Sequence, residues 1–494
     1  MGVLEEMDAM SAKGQPQCPV TGDGSTCLAA QIKASPCQQG DDSDYAEIRG
    51  SQVQLPEDIL RHIHTFMQMQ DVAQAACVYR SFLRSWSCYP KLMLSVDSLR
   101  IKEDASRKDE ISREFISRVD HILQNHSGMG VKMFSLHTYP CSDLHPSYVD
   151  RWLQIAITPG IENFELTMFG RRDIKYNFPC SVLSIGCMSS LTNLRLHSIN
   201  VTGEELYGFL SNSCALKQFY LSNCRDIICL KIPYLLKQLN ILHVFCCLKL
   251  EMIESNAPKL SIFYYAGDPI CTSVGDALHV RRVDFRHDHS PGALYYARTK
   301  LPLIVPNVRT LVLSTRAETG NTPMASCKFL QLKYLEIVLC ALIFPSDYDF
   351  YSLVSFLDAS PALETFVLRI AMPTIRPDSI IEDSGGDFSR PRCLSEQCHG
   401  RLKNVMITGF CSAKSMIELT IHIIGKTMSL VSLTLDTTRG HDRRCSRSDK
   451  CLQLSKDALV EAEKARVAIQ RYVEGRVPSS VNQKVIEPCS KCIY

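Results

Sequence analysis

Between residues 131 and 435 one short arrangement of apolar and polar positions keeps returning: apolar, two others, apolar, one other, apolar. The copies are VKMFSL at 131, IENFEL at 161, LTNLRL at 191, LKQFYL at 216, LKQLNI at 236 and LSIFYY at 260. They continue as VRRVDF at 280, VRTLVL at 308, LKYLEI at 332, LETFVL at 363, LKNVMI at 402 and LVSLTL at 430. The alternation at the end of each copy predicts a short strand whose successive side chains face opposite sides. Recurrence at roughly 20 to 40 residues marks a repeat architecture. One unit cannot bury its own apolar face, so neighbours must stack into a solenoid.

The leucine-rich-repeat template adds Asn or Cys three residues beyond the third apolar position, then a further apolar residue. LKYLEIVLCAL at 332–342 fits it in full, with Cys340 in that place, and LKQFYLSNC puts Cys224 there. The other copies are looser, so the reading is an α/β chain built as an irregular leucine-rich-repeat solenoid, or horseshoe, over 96–440. Its strands should line a concave wall, with the gap residues pointing away from the core. Thr192, Asn193, Arg195, Lys217, Gln218, Arg281, Arg282, Lys333 and Tyr334 are gap residues of this kind and candidate contacts for a bound protein.

The flanks have other periods. Residues 51–95 read as two or three short helices. Pro56 suits a first helical position, and Glu57 and Asp58 suit the first turn. Ile59, Leu60, Ile63, Phe66 and Met67 form an apolar stripe, Asp71 is placed to cap a second helix running to Trp86, and Pro90 ends the run. So small a module needs a partner or the next domain to complete its burial. Residues 1–50 are poor in aliphatic residues and rich in Gly, Ser, Gln and Asp, the composition of a tail without a core. Within 441–494, SKDALVEAEKARVAIQRYVEG predicts an amphipathic helix, stopped by Gly475 and Pro478, that caps the open end of the solenoid.

Composition narrows the function classes. The 494 residues are 45% hydrophobic and 21% charged with a net charge of +2, an ordinary soluble balance with no bulk field for nucleic acid or anionic lipid. No apolar run is long enough to span a bilayer, and MGVLEEMDAM has no apolar signal core. Neither the Gly2 segment nor the terminal KCIY completes a lipidation pattern. The 23 cysteines in a long chain at irregular spacing point to free thiols in a reducing compartment, hence the cytoplasm or nucleus.

LPEDILRHIHTFMQMQDVAQAACVYRSFLRSW, residues 55–86, resembles an F-box in its Leu55–Pro56 pair, Glu57–Asp58, Ile59, Leu60, Ile63, the AACV stretch at 75–78, Arg80 and Trp86. With the repeats and the segment IQRYVEGRVPSSVNQKVIEPCSKC, which is similar to the FBD-like C-terminal region, the chain from 51 onward resembles plant F-box/leucine-rich-repeat proteins of the kind abundant in grasses. The resemblance implies a non-catalytic substrate adaptor of a cullin–Skp–F-box ubiquitin ligase, without cofactor. Leu55, Pro56, Ile59, Leu60, Ile63, Val78 and Leu83 would then face the Skp-family adaptor, an apolar stripe in a hydrophobic groove. The repeats would hold a substrate protein. The pattern departs from the family at Gln68, where a proline is usual, and at Tyr79, where a small Ser is usual. They motivate the alternative, a stand-alone repeat scaffold or ligand receptor with a degenerate F-box.

Candidate chemistry is sparse. No nucleophile–base spacing or phosphate loop occurs. Cys489 and Cys492, with Cys393, Cys398 and His399, offer zinc-ligand types, but the spacing reads as two loops with free thiols and no metal site. His287, Asp288 and His289 read as a solvated turn after a strand. Arg171, Arg172 and Lys175, and Arg443, Arg444 and Arg447, read as exposed basic faces rather than import signals. The polar loop 380–392 is long enough to touch a substrate.

Overall fold

The computed structural model describes residues 56–78, 80–102, 108–127, 129–170, 176–180, 188–268, 271–274, 279–287, 292–316, 318, 321–340, 348–370, 377–381, 392, 396–438 and 454–489. The tail expected at 1–50, Leu55, Tyr79, and the basic clusters at 171–175 and 443–447 lie outside them, as does most of the 380–392 loop.

Fourteen strands form one all-parallel sheet among the described residues. In sheet order they are β1 (Lys91–Leu94), β2 (Met133–His137), β3 (Asn163–Thr167), β4 (Asn193–His197), β5 (Gln218–Ser222), β7 (Ile241–Phe245), β9 (Ile262–Ala266), β11 (Arg282–His287), β12 (Thr310–Thr315), β13 (Tyr334–Leu339), β14 (Thr365–Ile370), β15 (Asn404–Thr408), β16 (Ser432–Asp436) and β17 (Asn482–Ile486). Eleven of the twelve sequence copies open their strand at the third position, as their alternation predicts. The copy at 236 does not. Its strand starts at Ile241, so the working motif is LNILHV at 239–244, three residues later. Both frames satisfy the apolar pattern, and pairing decides between them: Leu242 must sit beside Phe219 and Phe263 to join the core ladder.

The return path depends on repeat length. Strands starting at 218, 241, 262 and 282 are roughly 20 residues apart, the short end for such repeats, and here the return leg is a strand. β6 (Cys229–Ile232), β8 (Met252–Ser255) and β10 (Cys271–Val274) form a second, parallel sheet in the order β10–β8–β6. Longer repeats hold helices: α4 (Lys108–Gln124), α5 (Pro146–Ala156), α6 (Gly203–Ser211), α7 (Ala293–Thr299), α8 (Leu301–Ile304), α9 (Val354–Asp358) and α10 (Lys414–Lys426). Their ends are locally specified. Thr202 and Glu205 form a reciprocal capping box at the start of α6, satisfying two donors the first turn would leave open.

Between sheet and return layer runs one continuous core. Phe134, Phe164, Leu194, Phe219, Leu242, Phe263, Val283, Leu311, Leu335, Phe366, Val405 and Leu433 follow one another in register and are buried. This stack, withdrawn from water, supplies the dominant drive for folding.

At the N-terminal end α1 (Glu57–Phe66), α2 (Met69–Val78) and α3 (Arg80–Trp86) lead into β1. Pro56 lies just before α1 rather than at its first position, and Asp71 falls in the first turn of α2 rather than at its cap. At the other end α11 (Lys456–Tyr472) is capped by Ser455. It does not finish the solenoid alone, because β17 follows and pairs in parallel with β16. The C-terminal segment therefore adds one more repeat instead of only a lid.

Candidate functional site

The helix α1 carries its apolar residues in two adjacent stripes. Leu60 and His64 turn inward and are buried. Ile59, Ile63 and Phe66 turn outward, with Phe66 78% exposed, and Leu83 of α3 is also exposed. A helical period separates the two stripes by one position, so a run of apolar residues too wide for one face serves two. Pro56, Ile59, Ile63 and Leu83 are thus on the surface, as a docking face requires. Leu60 is the correction: it packs inward at 5% exposure and is no surface contact. Phe66 takes its place outside. The side chain of Val78 and all of Leu55 lie outside the described residues. Gln68 is exposed in the turn between α1 and α2.

The helices are tied to the repeat domain through polar contacts with backbone. The Tyr89 hydroxyl donates to the Met67 carbonyl at 2.9 Å, and Lys91 Nζ donates to the Thr65 carbonyl at 2.7 Å. Gln70 donates to Ser98 O at 2.7 Å and accepts from Arg100 Nε at 2.8 Å. Inside the module His64 Nδ1 lies 2.7 Å from Ser85 Oγ. Burial holds the His64 imidazole below its ordinary pKa, with the Ser85 contact opposing, so the ring is neutral at pH 7.

The second surface is the open face of the main sheet. Its middle row reads Ser135, Glu165, Arg195, Tyr220, His243, Tyr264, Asp284, Val312, Glu336 across successive strands. At its centre three rings stack. Tyr220 and His243 are 5.2 Å apart by centroid, and His243 and Tyr264 are 4.2 Å apart and nearly coplanar at 5°. Guanidinium groups close both ends: Arg195 lies 5.5 Å over Tyr220 and Arg282 lies 5.7 Å over Tyr264, a cation–π arrangement. Acidic groups hold the outer ends. Glu165 meets His137 at 3.3 Å, and Asp284 pairs with Arg282 at 3.0 Å. Burial works to raise the Glu165 carboxyl, but His137, Arg195 and Ser135 together hold it below the usual range. Burial likewise raises the Asp284 carboxyl, against the pull of Arg282. Burial, then Arg195, push the His243 imidazole down to about 4.

The gap residues named from the sequence divide accordingly. Arg195 stands in the middle row beside Tyr220. Gln218, Arg282 and Tyr334 open their strands, in the row before. Lys217, Arg281 and Lys333 precede the strands and are exposed. Arg281 and Lys333 flank Arg309 through consecutive backbone bonds, which makes a local basic edge, and Lys333 is paired with Glu364 at 2.8 Å. Tyr334 is spent on the sheet itself, donating to Glu336 at 2.5 Å. Tyr220, His243 and Tyr264 were not singled out from the sequence. Their signal was present, since each occupies the single gap of its copy, but the misframed copy at 236 hid His243.

The remaining sequence candidates are dispersed. Cys398 and Cys489 are exposed, and Cys393 and Cys492 lie outside the described residues. His287 is no part of a solvated turn: it closes β11, is fully buried, and its Nδ1 is 2.7 Å from the Gly267 carbonyl. The described cysteines are free thiols. Among the described residues no helix is long and apolar enough to cross a membrane.

Known proteins share this organisation. The chain is similar to the F-box/LRR-repeat protein At3g58940 of Arabidopsis thaliana, 25% identical over 199 residues that cover 34% of this chain and 32% of the relative. It is similar to the F-box/LRR-repeat protein At3g58900 of the same plant, 25% identical over 236 residues, covering 43% and 71%. It is also similar to the F-box protein At3g60790, 22% identical over 275 residues, covering 50% and 54%. The matched part thus spans about a third of the first relative's own length. The family model for the At1g61320/AtMIF1 LRR domain matches residues 122–185 and 183–490, the stretch that carries strands β2 to β17. With repeat strands, return layer and family match coinciding over well over half of its length, the chain belongs to the At1g61320/AtMIF1 leucine-rich-repeat domain family.

Proposed function

We propose that this protein is the substrate-recognition subunit of a cullin–Skp–F-box ubiquitin ligase, acting in the cytoplasm or nucleus and contributing no catalytic group itself. The observation that carries the reading is the outward stripe Ile59–Ile63–Phe66, with Leu83, on a small helical module pinned to a long repeat sheet. A monomer has no use for such a stripe in water, whereas a helix-in-groove contact buries it. Val78 and the Leu55–Pro56 pair would extend that contact toward the Skp-family adaptor. The open sheet face, with Arg195, Gln218, Arg281, Arg282 and Lys333 around the stacked rings, would hold the substrate protein. Aromatic and arginine side chains are the types that dominate binding energy at protein interfaces. The FBD-like likeness of the C-terminal segment is consistent with this architecture.

The test is co-purification of the full chain with a panel of Skp-family adaptors, beside an Ile63→Asp/Phe66→Ser variant. A stoichiometric complex lost in a still-folded variant supports the reading. If no adaptor binds, the repeats act without the ligase, as a scaffold or ligand receptor. The specific motive for that second reading is that the family match begins beyond the helical module, whose turn carries Gln68.

A further inference from the structure

Three polar side chains from separate elements converge in the core on the helical side of the last repeats. Asp358 ends α9, His399 sits in the segment before β15, and His422 lies on α10. All three are more than nine-tenths buried, at 6%, 6% and 7% exposure. One ligand atom from each lies within 4.8 Å of the others. None of those groups is satisfied: both Asp358 carboxylate oxygens, His399 Nε2 and His422 Nε2 are buried without a hydrogen-bond partner, and His399 Nε2 lies 3.8 Å from Asp358 Oδ1. Buried polar groups are almost always paired. Two imidazoles and a carboxylate left open toward one point therefore call for an occupant with several empty valences. A single water donates to two groups and accepts from two, so it satisfies this set only where both rings present Nε2–H; an ion accepts lone pairs from all three residues.

The surroundings orient the ligands. The Tyr351 hydroxyl donates to the Arg392 carbonyl at 2.5 Å, and the same oxygen lies 3.5 Å from His422 Nδ1. With its proton committed to Arg392, that oxygen accepts, a contact that favours the His422 tautomer with its proton on Nδ1 and the Nε2 lone pair toward the cluster. Gln397 holds the Asp358 carbonyl at 3.1 Å, and the His399 amide is bonded to Lys426 O at 2.8 Å.

We propose that Asp358, His399 and His422 form a binding site for one divalent transition-metal ion, Zn2+, which cross-links three consecutive repeats. Two nitrogens and one oxygen suit Zn2+, which binds His and Asp at about 2.0–2.2 Å and takes water as a fourth ligand. Tetrahedral ligands at that radius are about 3.4 Å apart, so small side-chain rotations close the observed cluster around the ion. The role is structural: the ion would join α9, the segment before β15 and α10, which already meet through Gln397 on the Asp358 carbonyl and the His399 amide on Lys426 O.

The experiment uses the full-length chain, stripped with chelator under reducing conditions and titrated with Zn2+ and, in parallel, Co2+. The expected result is one equivalent bound with a rise in melting temperature, and a Co2+ visible spectrum of nitrogen and oxygen ligation without a thiolate charge-transfer band. Asp358→Asn and His422→Gln should each weaken binding by ~100-fold or more and abolish the thermal response. Unchanged binding in both variants, or a thiolate-dominated Co2+ spectrum, would place the metal at cysteines and overturn the proposal. So would a folded wild-type chain indifferent to Zn2+. Should the variants fail to fold, X-ray absorption of the Zn2+-loaded wild type decides: two imidazoles in an all-nitrogen-and-oxygen shell support the site, and sulfur ligands refute it.

Discussion

His243 stacks on Tyr264 with 4.2 Å between ring centroids and 5° between planes, and its Nδ1 is buried without a partner. A cation in that position would lie between Arg195 and Arg282, each already over a neighbouring tyrosine. Burial, and then Arg195, hold the ring neutral in the folded chain, with a pKa of about 4 against an ordinary 6.5. Below pH 6.5 the unfolded chain takes up a proton the folded chain refuses, so stability contributed by this site is full above 6.5 and is lost as pH falls toward 4. The ceiling is ~3 kcal/mol, reduced because the ring is only half-buried. His243→Gln should flatten the urea midpoint between pH 6.5 and 4 relative to wild type. An unchanged slope would mean the ring is not held neutral.

The hydroxyl of Tyr89 is the most specific link between the N-terminal helices and the repeats. The ring is buried, stacked at 5.8 Å on Trp86, and reaches Met67 O. Tyr89→Phe keeps the packing and leaves that carbonyl unserved, at a cost of about 1 kcal/mol. Because the lost bond joins module to sheet, the effect should be local: faster amide exchange in Glu57–Trp86, with β2 to β16 unchanged. Equal acceleration across the sheet would show that the helices and repeats open as one unit.

Much of this was legible in the sequence, and for a physical reason. Within a repeat the information is local: a strand of period two, set two residues after an apolar anchor. The main-sheet strands between Met133 and Asp436 start at the third position of a sequence copy, save where Leu236 and Leu239 offer two frames, while the return strands β6, β8 and β10 carry no copy. What is decided by neighbours was not legible. β17 lacks the motif and β1 carries it only with Tyr89 as its first apolar residue, and each pairs with the edge that β16 or β2 presents. The burial of Leu60 and exposure of Phe66 depend on where α1 rests, which a helical period alone does not say. Asp358, His399 and His422 belong to three different repeats and meet only through stacking.

Gly409 tests the tightness of that stacking. Its φ is +70°, and a Cβ there would lie 2.2 Å from the Ile370 carbonyl oxygen on the adjacent strand end. Both the left-handed backbone and the contact exclude a side chain. Gly409→Ala should destabilise by about 2–4 kcal/mol, read as a lower urea midpoint at unchanged slope. A neutral result would mean that β14 and β15 can part at this end.

Glu336 and Arg369 meet diagonally across neighbouring strands β13 and β14. Arg369 Nε donates to Oε1 at 2.6 Å and Tyr334 donates to Oε2 at 2.5 Å, with both charged side chains at about a tenth exposure, 9% and 12%. Taking two charges this far from water is costly, and their attraction only offsets it while both are present. Removing one should therefore cost more than removing both. Arg369→Met leaves a buried carboxylate without its guanidinium partner and should cost about 3 kcal/mol. Adding Glu336→Gln to that variant discharges the orphan and should recover at least half of the loss, although Glu336→Gln by itself is destabilising. Urea denaturation of the four chains in a double-mutant cycle gives the answer. Additive losses would show that the pair is solvated and contributes nothing as a pair.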